Sequence, residues 1–585
     1  MPDRRSRVTV ALVTPQAGHN QYYFDFSLEA AHEELGLGYL ASSVSAGGHT
    51  PTILDGPAMQ LDSSAILAEI MTIRPAIVGL SLINQTLAEG EYLAREIKRE
   101  RPETCVVVGG HLPTNAPIEV LQGCAAFDVA ILGYGEQTLV EVCDRFAAGK
   151  GLADVQGVAY RENGAITRNG PRPLPSDLDC IPFPDRSAVK CKVERGLLPL
   201  ARVVTSRGCP YECNYCTTPA FLDAHELCGS KRWMPRSPEN VVEEISGLVS
   251  SLGVKVIIFC DDEFVARVQG GTERVLEIAR MIKERELPIR FWAMFRVDDF
   301  APDDDVLVAE LKQAGLWGVF LGVEAGADSQ LKTYGKGTSV TQNRTALELF
   351  RRHNILVEMG SITFHPEVTF EELSATGSFL AQEREASLFR YFSSRLAIYP
   401  GEHRLVKRLE SKGLLLPTFS YRNEFAYNFS DPSIGVLADA LTDASRHFEP
   451  LDMVVWNARR VAQILGDMVT PGEVALDRST FLDLASLRGE LSQIDAAIGH
   501  THHQCFCECL RVAARDGKRE DIDTRLRLHA KATGKQVTEL KRLFRRLGRL
   551  RKEWLPLRHS DILERMYDYD YLLPSLSCRG VVEEL

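Results

Sequence analysis

Three cysteines spaced C-x3-C-x2-C have the clearest chemistry in this sequence. Cys209, Cys213 and Cys216 lie in the segment TSRGCPYECNYCTTP, directly after a predicted strand. Three thiolates on one short loop can bind three irons of a cubane cluster, which leaves the fourth iron open to a chelating small molecule. A zinc site is the alternative, but zinc usually takes four ligands, and no second C-x2-C pair lies nearby. We therefore predict a 4Fe–4S cluster at these three residues.

Residues 196–400, which contain the cysteine loop, alternate short apolar runs with helical patterns. Such alternation predicts βα units and a parallel sheet. Six repeats are too few for an eight-stranded barrel, so we predict a partial (β/α)6 barrel of the TIM type. Its active site should lie at the carboxyl ends of the strands, which carry Asp261, Arg296 and Glu324. The six predicted strands are Val203–Ser206, Val256–Phe259, Ile289–Met294, Gly318–Val323, Val357–Thr363 and Leu388–Ile398.

Residues 1–150 show a second α/β pattern, which predicts a doubly wound, Rossmann-like open sheet. Its five apolar runs are Val8–Val13, Thr52–Leu54, Ala76–Leu80, Cys105–Val108 and Val129–Leu132. Ligands of open sheets bind beyond the carboxyl ends of the strands. The residues at those ends are small or polar, namely Ser81, Gly109, Gly110, Gly133, Tyr134 and Gly135. The glycines would leave space for a bulky nucleotide to approach the backbone.

The other two regions are a hairpin with a linker at residues 151–195 and a mostly helical domain at residues 401–585. Asn163-Gly164 between two alternating runs predicts the hairpin. The segment GHTHHQCFCEC, residues 499–509, fits either a second metal site or a buried helix that uses cysteine as a small apolar residue. The pattern at residues 535–554 predicts an amphipathic helix whose basic face meets solvent or an anionic partner.

The composition limits the partners and the compartment. The formal net charge of −12 over 585 residues argues against a nonspecific polyanion binder, so we expect no nucleic-acid partner. No stretch approaches the apolar length of a membrane span, so we expect no membrane association. The first residues, MPDRRSRVTVALVTPQ, predict a strand rather than a secretory signal. Together with 14 cysteines, this favours a reducing cytoplasm.

The cysteine motif, with Tyr215 as its aromatic residue, resembles that of the radical SAM superfamily. The resemblance implies that S-adenosylmethionine (SAM) chelates the open iron. An external donor of the flavodoxin or ferredoxin type then supplies the electron that cleaves SAM to a 5′-deoxyadenosyl radical. It also implies that SAM contacts Tyr215, Asp261, Arg296 and Glu324, with Arg296 bound to its carboxylate. A structural ion pair at a strand end is the alternative for Arg296 and Glu324.

An open sheet before such a barrel resembles the cobalamin-binding radical SAM class. The resemblance implies that cobalamin binds at Ser81, Gly109, Gly110, Gly133, Tyr134 and Gly135. Many cobalamin proteins carry D-x-H-x-x-G, but Asp55-Gly56-Pro57 has proline in place of that histidine. We therefore expect cobalt without a histidine ligand. The tRNA methylthiotransferases are a rival that needs three more cluster cysteines, whereas Cys105, Cys124 and Cys143 fall on a strand and helices.

The activity that this class implies is methyl transfer from SAM, via methylcobalamin, to an unactivated carbon or phosphorus. The substrate would be a small-molecule or peptide natural-product intermediate. The cofactors carry this chemistry, so we predict no catalytic residue beyond those that bind them. A rearrangement, ring contraction or cyclisation remains an alternative. So do a non-enzymatic sensor that uses the cluster and cobalamin, and a radical SAM enzyme with an empty sheet.

Overall fold

The computed structural model describes residues 7–16, 33–196, 199–225, 232–399, 404–468, 478–515 and 517–554. The chain divides into two compact units. The first contains Met1–Ala293, Ile398–Arg408 and Thr418–Glu424, and the second contains Met294–Ala397, Leu409–Pro417 and Phe425–Leu585.

A seven-stranded sheet begins the first unit, with the strand order β2-β1-β3-β4-β5-β6-β7. Strands β1 to β5 are parallel, which confirms the five predicted strands, and β6 and β7 are antiparallel. The strands are Thr9–Thr14, Thr50–Asp55, Ile77–Ser81, Cys105–Gly109, Val129–Ile131, Val158–Glu162 and Ala165–Arg168. The last two form the predicted hairpin, in which Asn163 and Gly164 both have positive φ, at 51° and 85°. Since β6 pairs with β5, the sheet extends past residue 150.

Helices cover both faces of this sheet, so its strands are apolar on both sides. Val106 and Val108 of β4 belong to one buried core, and Val107 between them belongs to the other. Successive side chains along each strand therefore point alternately into the two cores. The helices are α1 Leu35–Ala46, α2 Gly56–Met59, α3 Ser63–Ile73, α4 Leu87–Glu100, α5 His111–Asn115, α6 Pro117–Gly123 and α7 Glu136–Ala147.

The rest of the first unit contains the first strands of the predicted barrel. β8 (Leu200–Val203), β11 (Val256–Phe259) and β12 (Arg290–Arg296) are parallel, with β11 between the other two. β9 (Ser206–Gly208) pairs antiparallel with β10 (Trp233–Pro235), and these two strands enclose the cysteine loop in sequence. The helices are α8 Ser187–Glu194, α9 Thr218–Asp223, α10 Pro238–Leu252 and α11 Gly271–Glu284.

The second unit begins inside β12 and contains the parallel pair β13 (Leu316–Glu324) and β14 (Leu356–Ser361). Val319, Leu321 and Val323, which alternate along β13, are almost completely buried. The helices around them are α12 Asp305–Ala314, α13 Asp328–Thr333, α14 Val340–Arg352 and α15 Phe370–Gln382.

The sixth predicted strand, Leu388–Ile398, is wrong. This segment contains the short helix α16 (Arg390–Ser393), and Arg395 makes only an isolated bridge to Phe364. The carboxylate of Asp452 accepts hydrogen bonds from the backbone N–H groups of Phe389 and Arg390, at 2.7 and 2.9 Å. A distant carboxylate therefore satisfies the orphan donors of a helix start. The apolar run alone could not distinguish a buried helix from a buried strand.

Four more helices follow: α17 Arg404–Ser411, α18 Pro432–Met468, α19 Arg478–Arg515 and α20 Arg519–Trp554. This confirms the predicted helical C-terminal region. The amphipathic pattern lies in α20, where Leu540 and Leu543 are buried. Arg542 and Arg546 form ion pairs with Glu490 of α19, so part of the basic face binds a neighbouring helix. None of the described helices combines the length and the apolar character that crossing a membrane requires.

Candidate active site

The cysteine loop joins β9 to α9 in the first unit. Cys209, Cys213 and Cys216 are half-buried, and the described cysteines form no disulfide bonds. Burial raises the pKa of the Cys209 and Cys216 thiols, so iron must displace their protons when it binds. In the described part of the chain, no three His, Cys, Asp or Glu side chains converge as ligands of one metal ion. A cubane takes one thiolate per iron and needs no such convergence, so the three thiols fit a 4Fe–4S cluster.

The segment that leads into this loop is held from several sides. Asp261 is 1% exposed, and its Oδ1 accepts hydrogen bonds from the Thr205 N–H, the Thr205 hydroxyl and the Ser206 hydroxyl at 2.6–3.0 Å. Gly208 has a φ of +81°, and a Cβ there would overlap the Arg232 carbonyl. The loop therefore starts from a backbone that only glycine can adopt.

Asp261 and Asp262 have different surroundings at the end of β11. We interpret the buried Asp261 as a support for the cysteine loop, because its Oδ1 accepts the hydrogen bonds from Thr205 and Ser206, and its contact with SAM stays a prediction. Asp262 is accessible and accepts a hydrogen bond from the Thr218 hydroxyl at 3.3 Å. Surrounding protein still raises the pKa of the Asp262 carboxyl, and His111 opposes the rise. Asp262 is thus the acidic group that faces the loop.

The carboxyl edge of the first sheet contains the predicted cobalamin residues. Ser81 and Gly109 are opposite each other in register, and a Cβ on Gly109 would meet only the Ile131 carbonyl, at 3.9 Å. The buried hydroxyl of Thr14, at the end of β1, has no hydrogen-bond partner among the described residues. Open space beside a glycine and an unsatisfied hydroxyl at a strand end suit a bulky polar ligand. The residues at this edge therefore fit the cobalamin prediction.

The space beside the other glycines of this edge is occupied by neighbouring residues of the chain. A Cβ on Gly133, where φ is +72°, would overlap the His225 ring, and one on Gly110 would lie 2.9 Å from the Leu82 carbonyl. A Cβ on Gly135 would lie 3.0 Å from Ile131. The Thr114 hydroxyl links two of the loops, since it donates to the Gly110 carbonyl and accepts from the Gly133 N–H. These glycines shape the loops rather than leave a cavity.

Asp55 has a structural role at the place where other cobalamin proteins have D-x-H. Its Oδ1 caps α2 by accepting from the Ala58 N–H at 3.1 Å, and its Oδ2 accepts from the Glu34 N–H at 2.6 Å. Pro57 occupies the first turn of that helix. The local structure thus offers no imidazole there, and cobalt without a histidine ligand stays a prediction.

Two contacts join the edge of the first sheet to the cysteine segment. Arg207, two residues before Cys209, forms an ion pair with Glu136, and its guanidinium lies 4.4 Å from the centre of the Tyr134 ring. His225, after α9, accepts the Tyr134 N–H on Nε2 at 2.8 Å. Its Nδ1 must carry the proton, because it lies 2.7 Å from the Arg172 carbonyl.

Sequence reasoning missed Arg207, Glu136 and His225 as supporting residues. Arg207 lies two residues before Cys209 and Glu136 directly follows Gly135, so their closeness to predicted site residues could have marked them as supporting residues. His225 had none, because a single histidine in a polar segment has no spacing that marks it. Burial lowers the pKa of His225, which keeps the ring neutral and able to accept the Tyr134 N–H.

The second unit holds Arg296 and Glu324. The Arg296 guanidinium makes two bonds of 2.9 Å to Asp298 and one of 2.7 Å to the Lys336 carbonyl. These contacts match the structural alternative for Arg296. Glu324 has a φ of +66°, unusual for a residue other than glycine, and pairs with the Lys336 ammonium at 2.8 Å. Strain of this kind clusters at functional sites, so Glu324 remains a proposed SAM contact.

The histidines and cysteines of residues 499–509 lie in α19. Cys505 and Cys509 lie on one face with their sulfurs 4.0 Å apart, and Cys507 lies 3.4 Å from His503 on another. No third ligand of a single metal ion joins either pair within the described residues. Cys505 and Cys509 are buried, so the geometry favours the reading of cysteine as a small apolar residue.

Acid should weaken the helical region through His529. This ring packs against His502, Phe448 and Phe389, and burial lowers its pKa to about 4. The unfolded chain binds the proton more tightly, so stability is lost as the pH falls from about 6.5 to 4, by roughly 3 kcal/mol at most. We expect the midpoint of denaturant unfolding of His529→Phe to depend less on pH between about 6.5 and 4 than that of the wild type. The midpoint is measured by the helical circular dichroism signal. Besides burial, His529 also contributes to lowering the pKa of His502, so the substitution reduces the acid sensitivity of both histidines, whereas the raised pKa of Asp452 has causes that do not include His529. An identical pH profile for both proteins would contradict this assignment.

Comparison with known protein families finds two matches that follow the chain in order. A B12-binding domain matches residues 26–143, and the radical SAM superfamily matches residues 203–380. A Pyrococcus horikoshii protein named as an uncharacterized methyltransferase is 32% identical over 59% of this chain and 72% of its own length. An anaerobic magnesium-protoporphyrin IX monomethyl ester cyclase of Rubrivivax gelatinosus is 28% identical over 58% of this chain and 60% of its own length.

A solved structure shares the fold over almost the whole chain. The cobalamin-dependent SAM radical enzyme OxsB, solved with aqua-cobalamin bound, matches with a TM-score of 0.67 at 20% identity, over 98% of this chain and 84% of that one. The chain belongs to the cobalamin-binding radical SAM enzymes. Its cofactors are therefore cobalamin, SAM and a 4Fe–4S cluster.

Proposed function

We propose that this enzyme transfers a methyl group from SAM, by way of cobalamin, to an unactivated carbon or phosphorus of a small-molecule or peptide intermediate. The observation that carries the proposal is that one compact unit holds both the complete cysteine loop and a sheet edge that fits cobalamin. The relative named as a methyltransferase supports methylation.

The residues of the chain have positioning roles in this proposal. Cys209, Cys213 and Cys216 would hold three irons of the cluster and leave one for SAM. When bound, the cluster supplies the electron that cleaves SAM, and cobalamin carries the methyl group. Ser81 and Gly109 would contact the cobalamin at the carboxyl edge of the sheet. Glu324 would bind the amino or ribose groups of SAM. An external one-electron donor of the flavodoxin or ferredoxin type completes the system.

Cyclisation is the second candidate, because the relative from Rubrivivax gelatinosus is named as a cyclase. The two reactions differ in what becomes of SAM. Radical methylation consumes one SAM as methyl donor and another as radical source, so S-adenosylhomocysteine and 5′-deoxyadenosine form in comparable amounts. Cyclisation needs no methyl donor and yields no S-adenosylhomocysteine.

Product analysis of the reconstituted enzyme separates these candidates. The full chain is loaded anaerobically with iron, sulfide and hydroxocobalamin, and then given SAM, a reductant and extracts that contain candidate intermediates. Both SAM products, together with a product 14 mass units heavier for each methyl replacing a hydrogen (by simple mass balance), support methylation. 5′-Deoxyadenosine alone, with a product of unchanged carbon count, would replace methylation by rearrangement or cyclisation.

A further inference from the structure

The cysteine loop is tied at both ends to one loop of the cobalamin-binding domain. That loop comprises residues 133–136, which follow β5 and end at the first residue of α7. Arg207 ties the entry of the cysteine loop to Glu136, and His225 ties the segment after its exit to the Tyr134 backbone. Both ties come from side chains and lie within the same compact unit.

The first of these contacts, the ion pair between Arg207 and Glu136, is buried. The side chain of Arg207 is 6% exposed and that of Glu136 is 12% exposed. Separating a buried guanidinium from its carboxylate leaves an unpaired buried charge, which is strongly destabilising, so Arg207 and Glu136 are expected to move together. The Tyr134 ring adds to the same contact, since Arg207 lies over one face and His225 is stacked 5.4 Å away.

The second tie is equally constrained. His225 fills the space that a side chain at Gly133 would occupy, and both of its ring nitrogens are engaged. Phe221 of α9, between Cys216 and His225, packs on Tyr134 and on His111 at ring-centre distances of 5.1 and 4.6 Å. A shift of the 133–136 loop therefore moves the backbone on both sides of the three cysteines.

We propose that Glu136 and His225 are positioning residues that couple cobalamin binding to the cysteine loop, so that each cofactor favours the binding of the other. The inference rests on the proposed function and on the prediction that cobalamin contacts Gly133, Tyr134 and Gly135. Cobalamin that fixes this loop also fixes Arg207 and α9, and the cluster then binds to a loop whose ordering is already complete. Thermodynamic linkage requires the reverse effect to be equal in size.

The test measures the affinity of the full chain for hydroxocobalamin with and without the reconstituted cluster, by anaerobic visible titration. We expect the cluster to tighten binding in the wild type by at least about 5-fold, the lower end of typical two-site coupling. In Glu136→Gln the ratio should fall toward 1, since the neutral amide no longer holds Arg207 by charge, and in the double variant Glu136→Gln/His225→Phe it should be about 1. The electron paramagnetic resonance signal of the reduced cluster should also change with cobalamin in the wild type and remain constant in the double variant.

Asp144→Asn is the matched control. Asp144 lies on the same helix, α7, and pairs with His49 at 3.4 Å, away from the cysteine segment. It should retain the wild-type ratio. His225→Phe removes the second tie without adding charge, and so tests the coupling if Glu136→Gln does not fold. A wild-type ratio of 1, or equal ratios in the wild type and both tie variants, would overturn the coupling. A protein that retains no cobalamin at all would instead contradict the proposed function.

Discussion

Cys213→Ala removes the cluster and, with it, all reductive cleavage of SAM. Three irons depend on three thiolates, and Cys213 is the central one of a loop whose entry and exit are held by protein contacts. A cubane that loses one of three ligands has two open irons, so the iron content should fall well below about four per chain. We expect the absorption and the paramagnetic signal of the reduced cluster to disappear.

Cys260→Ala is the control for this prediction. Cys260 directly follows β11 in the same unit, and its sulfur faces the Val203 carbonyl at 3.6 Å, so it is a thiol of the barrel that we do not assign to iron. The control should keep the iron, the spectra and the formation of 5′-deoxyadenosine. If Cys213→Ala retained a wild-type cluster signal and cleaved SAM, the cluster would lie elsewhere in the chain.

Gly133→Ala is expected to abolish the tight retention of cobalamin. Its Cβ would overlap the His225 ring, and the residue has a φ of +72°, so the substitution adds a clash to the cost of positive φ. The displaced ring loses its bond from the Tyr134 N–H, and the 133–136 loop moves with it. We expect hydroxocobalamin affinity to fall by at least about tenfold, or roughly 1.4 kcal/mol. The measurement is retention of the cobalamin spectrum after desalting.

Gly149→Ala separates the clash from the backbone strain. Gly149 has a φ of +62°, and a Cβ there would meet nothing within 4 Å, so this variant bears only the cost of positive φ, about 1–2 kcal/mol. It should retain cobalamin. Adding His225→Ala to Gly133→Ala removes the clashing ring, and part of the lost affinity should return. Equal retention by Gly133→Ala and the wild type would show that this loop does not shape the site.

The sequence was sufficient where a local pattern and a chemical requirement coincide. The hairpin at Asn163-Gly164 and the helices of the last region both follow from short-range rules, and both were predicted. Leu388–Ile398 failed because its conformation depends on Asp452, more than 50 residues away along the chain. No periodicity in the segment itself could have reported that contact.

The predictions for individual cofactor contacts were limited for the same reason. Asp261 and Arg296 occupy the strand ends where binding residues belong, but their partners are Thr205 and Ser206 in one case and Asp298 in the other. Residue type and strand position do not show which way a side chain turns once a protein partner competes for it. Gly133 shows the same limit for a glycine. The space beside it is filled by His225, 92 positions later in the chain, so the sequence around Gly133 could not show that the space is occupied.

Transfer of a labelled methyl group tests the central claim most directly, because it needs no knowledge of the substrate. The reconstituted full chain, loaded with cobalamin, is given SAM with a deuterated methyl group and a strong reductant, and the cobalamin is then extracted for mass analysis. We expect deuterated methyl on the cobalamin together with S-adenosylhomocysteine. Unlabelled cobalamin, in a protein that holds it and still forms 5′-deoxyadenosine, would contradict a methyltransferase.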